Sequence, residues 1–130
     1  MAKKITLSAL LISYVIFSCT QESDDNCIGY SVRNVISVEG DTCGLVNEVI
    51  DLDIRFAVMN GCGRFDSYLE NFEGDTAYIV VKAIYEGCAC TMNIPIITSQ
   101  YHFESNASGI YNLAFKSGDE EYITHTITIN

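Results

Sequence analysis

Alternation constrains this chain more than any other feature. In the stretch EVIDLDIRFAV, Ile50, Leu52, Ile54, Phe56 and Val58 take every second position, with Asp51, Asp53, Arg55 and Ala57 between them. Successive side chains of a β-strand point to opposite faces, so a two-residue period produces one buried and one solvated face. A helix would scatter the same aliphatics around its axis. TAYIVVKAIYE repeats the pattern, with Ile79, Val81, Ala83 and Tyr85 on one face and Lys82 and Glu86 marking the other. EEYITHTITIN does so again with Ile123, Ile127 and Ile129. Further strands are expected near residues 31–38, 63–70, 92–97, 99–104 and 110–116. Eight short strands in about 100 residues predict an all-β domain, a sandwich or a barrel.

Residues 1–18 have a different character. Lys3 and Lys4 precede ITLSALLISYVIF, a mostly apolar stretch with two serines. It has the length of an export signal core and falls short of the roughly 20 residues of a membrane-spanning helix. IFSC follows, ending at Cys19. This resembles a bacterial lipobox, although Phe17 is bulkier than that pattern usually carries. The resemblance implies cleavage before Cys19 and lipidation of its sulfur, and several acyl chains together hold a protein firmly where one does not. The polar TQESDDN then reads as a tether, giving a lipidated segment over residues 19–28 and a β domain over residues 29–130. ESDD also resembles the acidic signal that sends Bacteroidota lipoproteins to the outer leaflet of the outer membrane, and a plain solvated linker has the same composition. The expected location is the outer membrane, by lipid anchor, with the acidic signal implying the cell surface.

Charge narrows the company such a domain keeps. The chain has 7 basic and 17 acidic residues, a formal charge of −10. Without residues 1–18, and so without Lys3 and Lys4, 5 − 17 gives −12. A surface of that sign repels nucleic acid and anionic headgroups. The membrane is therefore expected to be met through the N-terminal lipid, and the partner to be a protein or a glycan.

YHFESNASGIYNLAF places Tyr101 and Phe103 on one strand, a turn through SNASG, and Gly-x-Tyr-x-Leu-x-Phe on the next. It resembles the corner between strands E and F of immunoglobulin-like domains, where a tyrosine hydrogen-bonds back to the corner. Tyr111 is the candidate. The resemblance implies an immunoglobulin-like antiparallel β-sandwich of about 7–8 strands, here without the antibody-type core tryptophan, since the chain has no Trp. Together with NGCGRF and YEGCACT, the corner also resembles a group of small Bacteroidota lipoproteins, which implies an address and a fold but no activity.

Six cysteines carry the most distinctive chemistry. With Cys19 reserved for lipid, Cys27, Cys43, Cys62, Cys88 and Cys90 remain, an odd set that allows two bridges and one free thiol in an oxidising compartment. NFEGDT is expected to turn a hairpin centred near residues 73 and 74, which returns the chain past Cys62 at about residue 85. Cys62 is then expected to bridge Cys88 or Cys90, with Cys88 nearer the return point. Cys27 and Cys43 are the remaining pair, tying the tether to the first turn. The alternative is a thiolate metal site on Cys62, Cys88 and Cys90, although one CxC and a single cysteine lack the paired CxxC spacing of structural zinc.

Catalytic patterns are missing. No Gly-x-Ser-x-Gly, HExxH or phosphate loop occurs. His125 falls in phase with Ile123 and Ile127, beside the core, and His102 is expected to face solvent. Asp51 and Asp53 share a face that reads as a solvated strand surface before it reads as a calcium site. DTA at 75–77 resembles the short O-glycan acceptor motif of Bacteroidota, with Thr76 as its site. The sequence thus predicts no enzyme and no cofactor. It predicts a binding or scaffold module that contacts its partner through residues such as Asn60, Arg64 and Phe65, with an envelope thiol or metal protein as the alternative.

Overall fold

A computed structural model describes residues 27–130; Cys19, the signal segment and most of the tether lie outside them. The described residues hold no helix and nine strands. These are β1 (Ile28–Arg33), β2 (Val35–Glu39), β3 (Cys43–Gly44), β4 (Ile50–Ala57), β5 (Gly63–Glu73), β6 (Thr76–Glu86), β7 (Ile96–Phe103), β8 (Gly109–Gly118) and β9 (Glu121–Ile129). They form a β-sandwich. One sheet runs β2-β4-β7, and the other runs β1-β6-β8-β9-β3 with β5 added along β6.

The alternation becomes burial where the sequence expects it. Ile50, Leu52, Ile54 and Phe56 of β4 and the following Val58 are all buried, as are Ala77, Ile79, Val81 and Ala83 of β6. Ile127 and Ile129 close the core from β9. Each large aliphatic or aromatic side chain buried this way contributes about 2–3 kcal/mol. A run of aromatic contacts, Phe56–Phe65, Phe65–Tyr68, Tyr68–Tyr101 and Tyr101–Phe115, spans both sheets with ring centroids 4.6 to 6.3 Å apart. It fills the middle of a sandwich that has no tryptophan to fill it.

Strand β6 is the spine of the larger sheet. The β5–β6 hairpin pairs Glu73 with Thr76 across Gly74 and Asp75, and Gly74 takes the positive φ (64°) that a two-residue loop requires. The turn thus sits one residue beyond its expected centre. A bulge between Phe65 and Ser67 shifts the register, and Gly63 ends opposite Tyr85. The other edge of β6 is shared end to end. β1 pairs antiparallel with Arg33 opposite Val81 and Ile28 opposite Glu86, while β8 pairs parallel over Thr76–Ile79.

Several expectations change. β6 with β8, and β3 with β9, run parallel, so the sandwich is not antiparallel throughout. The strand expected at 31–38 is two, because the chain crosses from one sheet to the other at Asn34. The strands expected at 92–97 and 99–104 are one, β7, which starts after Pro95. Proline cannot donate to a ladder, and here its carbonyl instead accepts from the Val58 amide at 3.1 Å. The two-residue β3 carries no periodicity to read.

Candidate functional site

The cysteines gather at one end of the sandwich. The chain enters β1 there, the β4–β5 loop turns there, and the β6–β7 connection leaves there. Two disulfides join these segments: Cys27–Cys88, with a Cα separation of 5.0 Å, and Cys62–Cys90, with 5.4 Å.

Cys62 pairs with Cys90, one of its two expected partners although not the one nearer the return point. The second expected pair is corrected: Cys27 pairs with Cys88 and not with Cys43. The cause is the β1–β6 pairing, which the hairpin argument did not contain. With Ile28 opposite Glu86, Cys27 extends past the end of β6 to meet Cys88 on that edge. β5 flanks the opposite edge, which leaves Cys90 for Cys62. Cys43 lies in β3, at the far side of the sheet from β1, where it is exposed and free. The sulfurs of Cys62, Cys88 and Cys90 are all engaged in disulfides, so they do not form the alternative thiolate set. Among the described residues, no three His, Cys, Asp or Glu side chains gather to hold a metal ion.

Backbone and side-chain bonds fix the loops further. The Gly61 amide donates to the Thr91 carbonyl at 3.0 Å, joining the two loops directly, and the Gly87 amide donates to the Cys27 carbonyl at 2.9 Å. The Tyr85 hydroxyl accepts from the Met59 amide at 3.0 Å and from Ser31 Oγ at 3.1 Å. Gly87 sits at φ +137°, and a Cβ there would stand 3.0 Å from Cys62 Sγ, so the disulfide-bound turn requires glycine.

The expected contact residues separate. Asn60 shapes the turn: its Oδ1 accepts from the Cys62 amide at 2.9 Å and its carbonyl from the Gly63 amide at 3.1 Å. Arg64 is exposed, with its guanidinium on the Glu86 carboxylate. Phe65 is not a loop residue. It lies in β5 and packs against Phe56 and Tyr68, because the bulge after it keeps its ring on the inner face. The exposed apolar side chains at this end are instead Met92, 94% accessible, Ile94 at 66% and Met59 at 58%. Met59 and Met92 lie in the 59–64 and 86–92 loops expected to make contact, whereas Ile94 was expected within a strand over 92–97 and falls instead in the loop before β7.

The remaining candidates lie elsewhere. The Tyr111 hydroxyl donates to the Ala107 carbonyl at 2.7 Å and accepts from Ser105 Oγ at 2.6 Å, closing the turn between β7 and β8. His125 is half-buried, with Nε2 at 3.0 Å from the Asp41 carbonyl, beside the core as its phase implies. His102 is exposed and paired with Asp51. Asp53 is exposed on the same outer surface, and the Thr76 hydroxyl donates to Asp75 Oδ1 at 3.3 Å.

Compared with known proteins, the chain matches the family model described as the ORF11 beta-sandwich domain over residues 52–129. That span runs from β4 to the end of β9 and includes Cys62, Cys88, Cys90 and Tyr111. No curated protein and no solved structure matches.

Proposed function

The chain belongs to the ORF11 beta-sandwich family, and from that premise we propose that it is a lipid-anchored, non-catalytic binding module of the outer membrane, displayed at the cell surface. The carrying observation is the cross-linked end: the Cys62–Cys90 disulfide and two backbone bonds hold the 58–62 and 87–95 loops together, and Cys27–Cys88 ties the second of them to the start of β1, while Met59, Met92 and Ile94 stand in solvent. Large apolar groups on preordered loops suit recognition, because little loop entropy remains to be lost when a partner binds. An anchor at Cys19 fits this reading, since only seven residues separate it from Cys27. Fully extended, such a tether reaches about 28 Å, so the cross-linked end would face a protein or glycan partner close to the membrane.

The experiment has two arms. Cys19→Ser should leave an unprocessed or soluble species, and detergent partitioning like that of the wild type after signal cleavage would defeat the anchor. In the second arm, native envelopes are cross-linked in the wild type and in Met92→Glu/Ile94→Glu, whose exposed positions leave the fold intact. Adducts lost in the variant at unchanged thermal stability support the binding end. Identical adducts would remove it.

A further inference from the structure

The end opposite the disulfides carries a slot of about 400 Å³, lined by the tip of the β5–β6 hairpin on one side and the β7–β8 corner on the other. Its apolar lining comes from Tyr101, Phe103 and Tyr111, with Phe72 at its mouth, 69% exposed. Glu70, Asp75 and Glu104 add three carboxylates. Among the described residues no lysine or arginine lines it, and its one histidine, His102, is turned to Asp51. None of the three carboxylates forms an ion pair among the described residues. One oxygen of Glu70 accepts from the Tyr101 hydroxyl, which holds the carboxylate at the slot.

Aromatic faces and uncompensated carboxylates around one opening favour a single kind of guest, a cation with an apolar stem. A chain of net charge −10 adds long-range attraction of the same sign. The neighbouring backbone adds a second preference. β7 is the edge of its sheet, with no strand of the described residues on its outer side, and its last residues, Tyr101 to Phe103, lead into the slot. A free edge is where an extended chain pairs, and strand pairing delivers every second side chain to one face. We propose that the slot takes a lysine or arginine side chain from an extended basic peptide segment that pairs along β7.

The probe is a fluorescein-labelled heptapeptide of alternating arginine and threonine, read by anisotropy, with a glutamate–threonine heptapeptide as control and spermidine as competitor. The arginine peptide should bind, weaken with added salt and shift the backbone amides of β7, while the control stays free. Glu70→Gln/Glu104→Gln should weaken binding about tenfold, by removing charge-assisted contacts. A glutamine carboxamide in place of Glu70 can still accept from the Tyr101 hydroxyl, which preserves the fold. Phe72→Ala, at an exposed position, should cost about three- to fivefold, the scale of an exposed cation–π contact. Met59→Ser, an uncharged change at the disulfide end and outside both β7 and the slot, should change nothing, so this proposal and the binding end stand or fall separately. Equal binding of the control, or wild-type affinity in the double glutamine variant, overturns the slot. Spermidine binding as tightly as the peptide, with no shift in the β7 amides, overturns the peptide and leaves a site for small amines.

Discussion

Removing the Cys62–Cys90 bridge tests the connectivity and its energetic consequence together. The half-cystines are 28 residues apart, and closing a loop of that size stabilises by roughly 3.6 kcal/mol in the chain-entropy model. Taken alone, the Cys27–Cys88 bridge, with a separation of 61, would contribute roughly 4.3 kcal/mol. The two bridges interleave, however. Once Cys62–Cys90 is closed, the path from Cys27 to Cys88 runs through it, and the second closure falls to roughly 3.9 kcal/mol. Cys62→Ala/Cys90→Ala is therefore expected to lose roughly 3–4 kcal/mol, a large share of the 5–15 kcal/mol of an ordinary domain. Its urea m-value should rise, because the released chain expands further on unfolding. Cys62→Ala/Cys88→Ala breaks both bridges and should lose about twice as much. Unfolding without reductant, followed by tyrosine fluorescence, measures each. Equal losses in the two variants, or a loss below about 1 kcal/mol in the first, would refute this pairing or its role.

Three further outcomes follow from single positions. Tyr111→Phe removes the hydroxyl bonded to Ala107 and Ser105 and should destabilise by about 1–2 kcal/mol in equilibrium unfolding, with no loss of strand content by circular dichroism. Burial first, then the Glu70 hydrogen bond and charge, holds the Tyr101 hydroxyl well above the ordinary tyrosine range. The folded state therefore keeps a proton that the unfolded chain sheds above about pH 10, and stability should fall as pH rises through that value. Tyr101→Phe should flatten this alkaline slope, and an unchanged slope would clear Tyr101 of it. Non-reducing alkylation of the folded protein should label Cys43 and no other cysteine within residues 27–130, as read by peptide mass mapping.

How much was legible depends on the distance over which each feature is decided. β4 and β6 could be read because a two-residue period lies wholly within each segment, and the β5–β6 hairpin because its turn residues lie between its strands. Tyr111 could be read for the same reason, since its partners Ala107 and Ser105 are four and six residues back. The disulfide partners could not. They depend on β1 and β8 sharing one edge of β6, a choice between strands about fifty and thirty residues away that leaves no mark on local alternation. Phe65 was misassigned for a smaller reason: it stands next to a glycine-rich turn, and only the bulge, set by pairing with β6, turns it inward. The slot was invisible because its carboxylates and aromatics come from three strands and two turns that no motif links.

The same spine that hides these features from the sequence separates the two ends of the molecule. β6 begins at the hairpin beside the slot and ends at the disulfides, and its eleven residues span about 35 Å. A tether that emerges at Cys27 is bound covalently, through Cys88, to the far end of that strand. With an anchor at Cys19, the cross-linked loops would lie near the bilayer and the anionic slot would project away from it. The free edge of β7 runs between the two ends. The orientation depends on where the Cys27 sulfur is fastened: Cys43 pairs opposite Thr128, level with the start of β8 beside the slot, so a Cys27–Cys43 bridge would have turned the slot, and not the cross-linked loops, toward an anchor at Cys19.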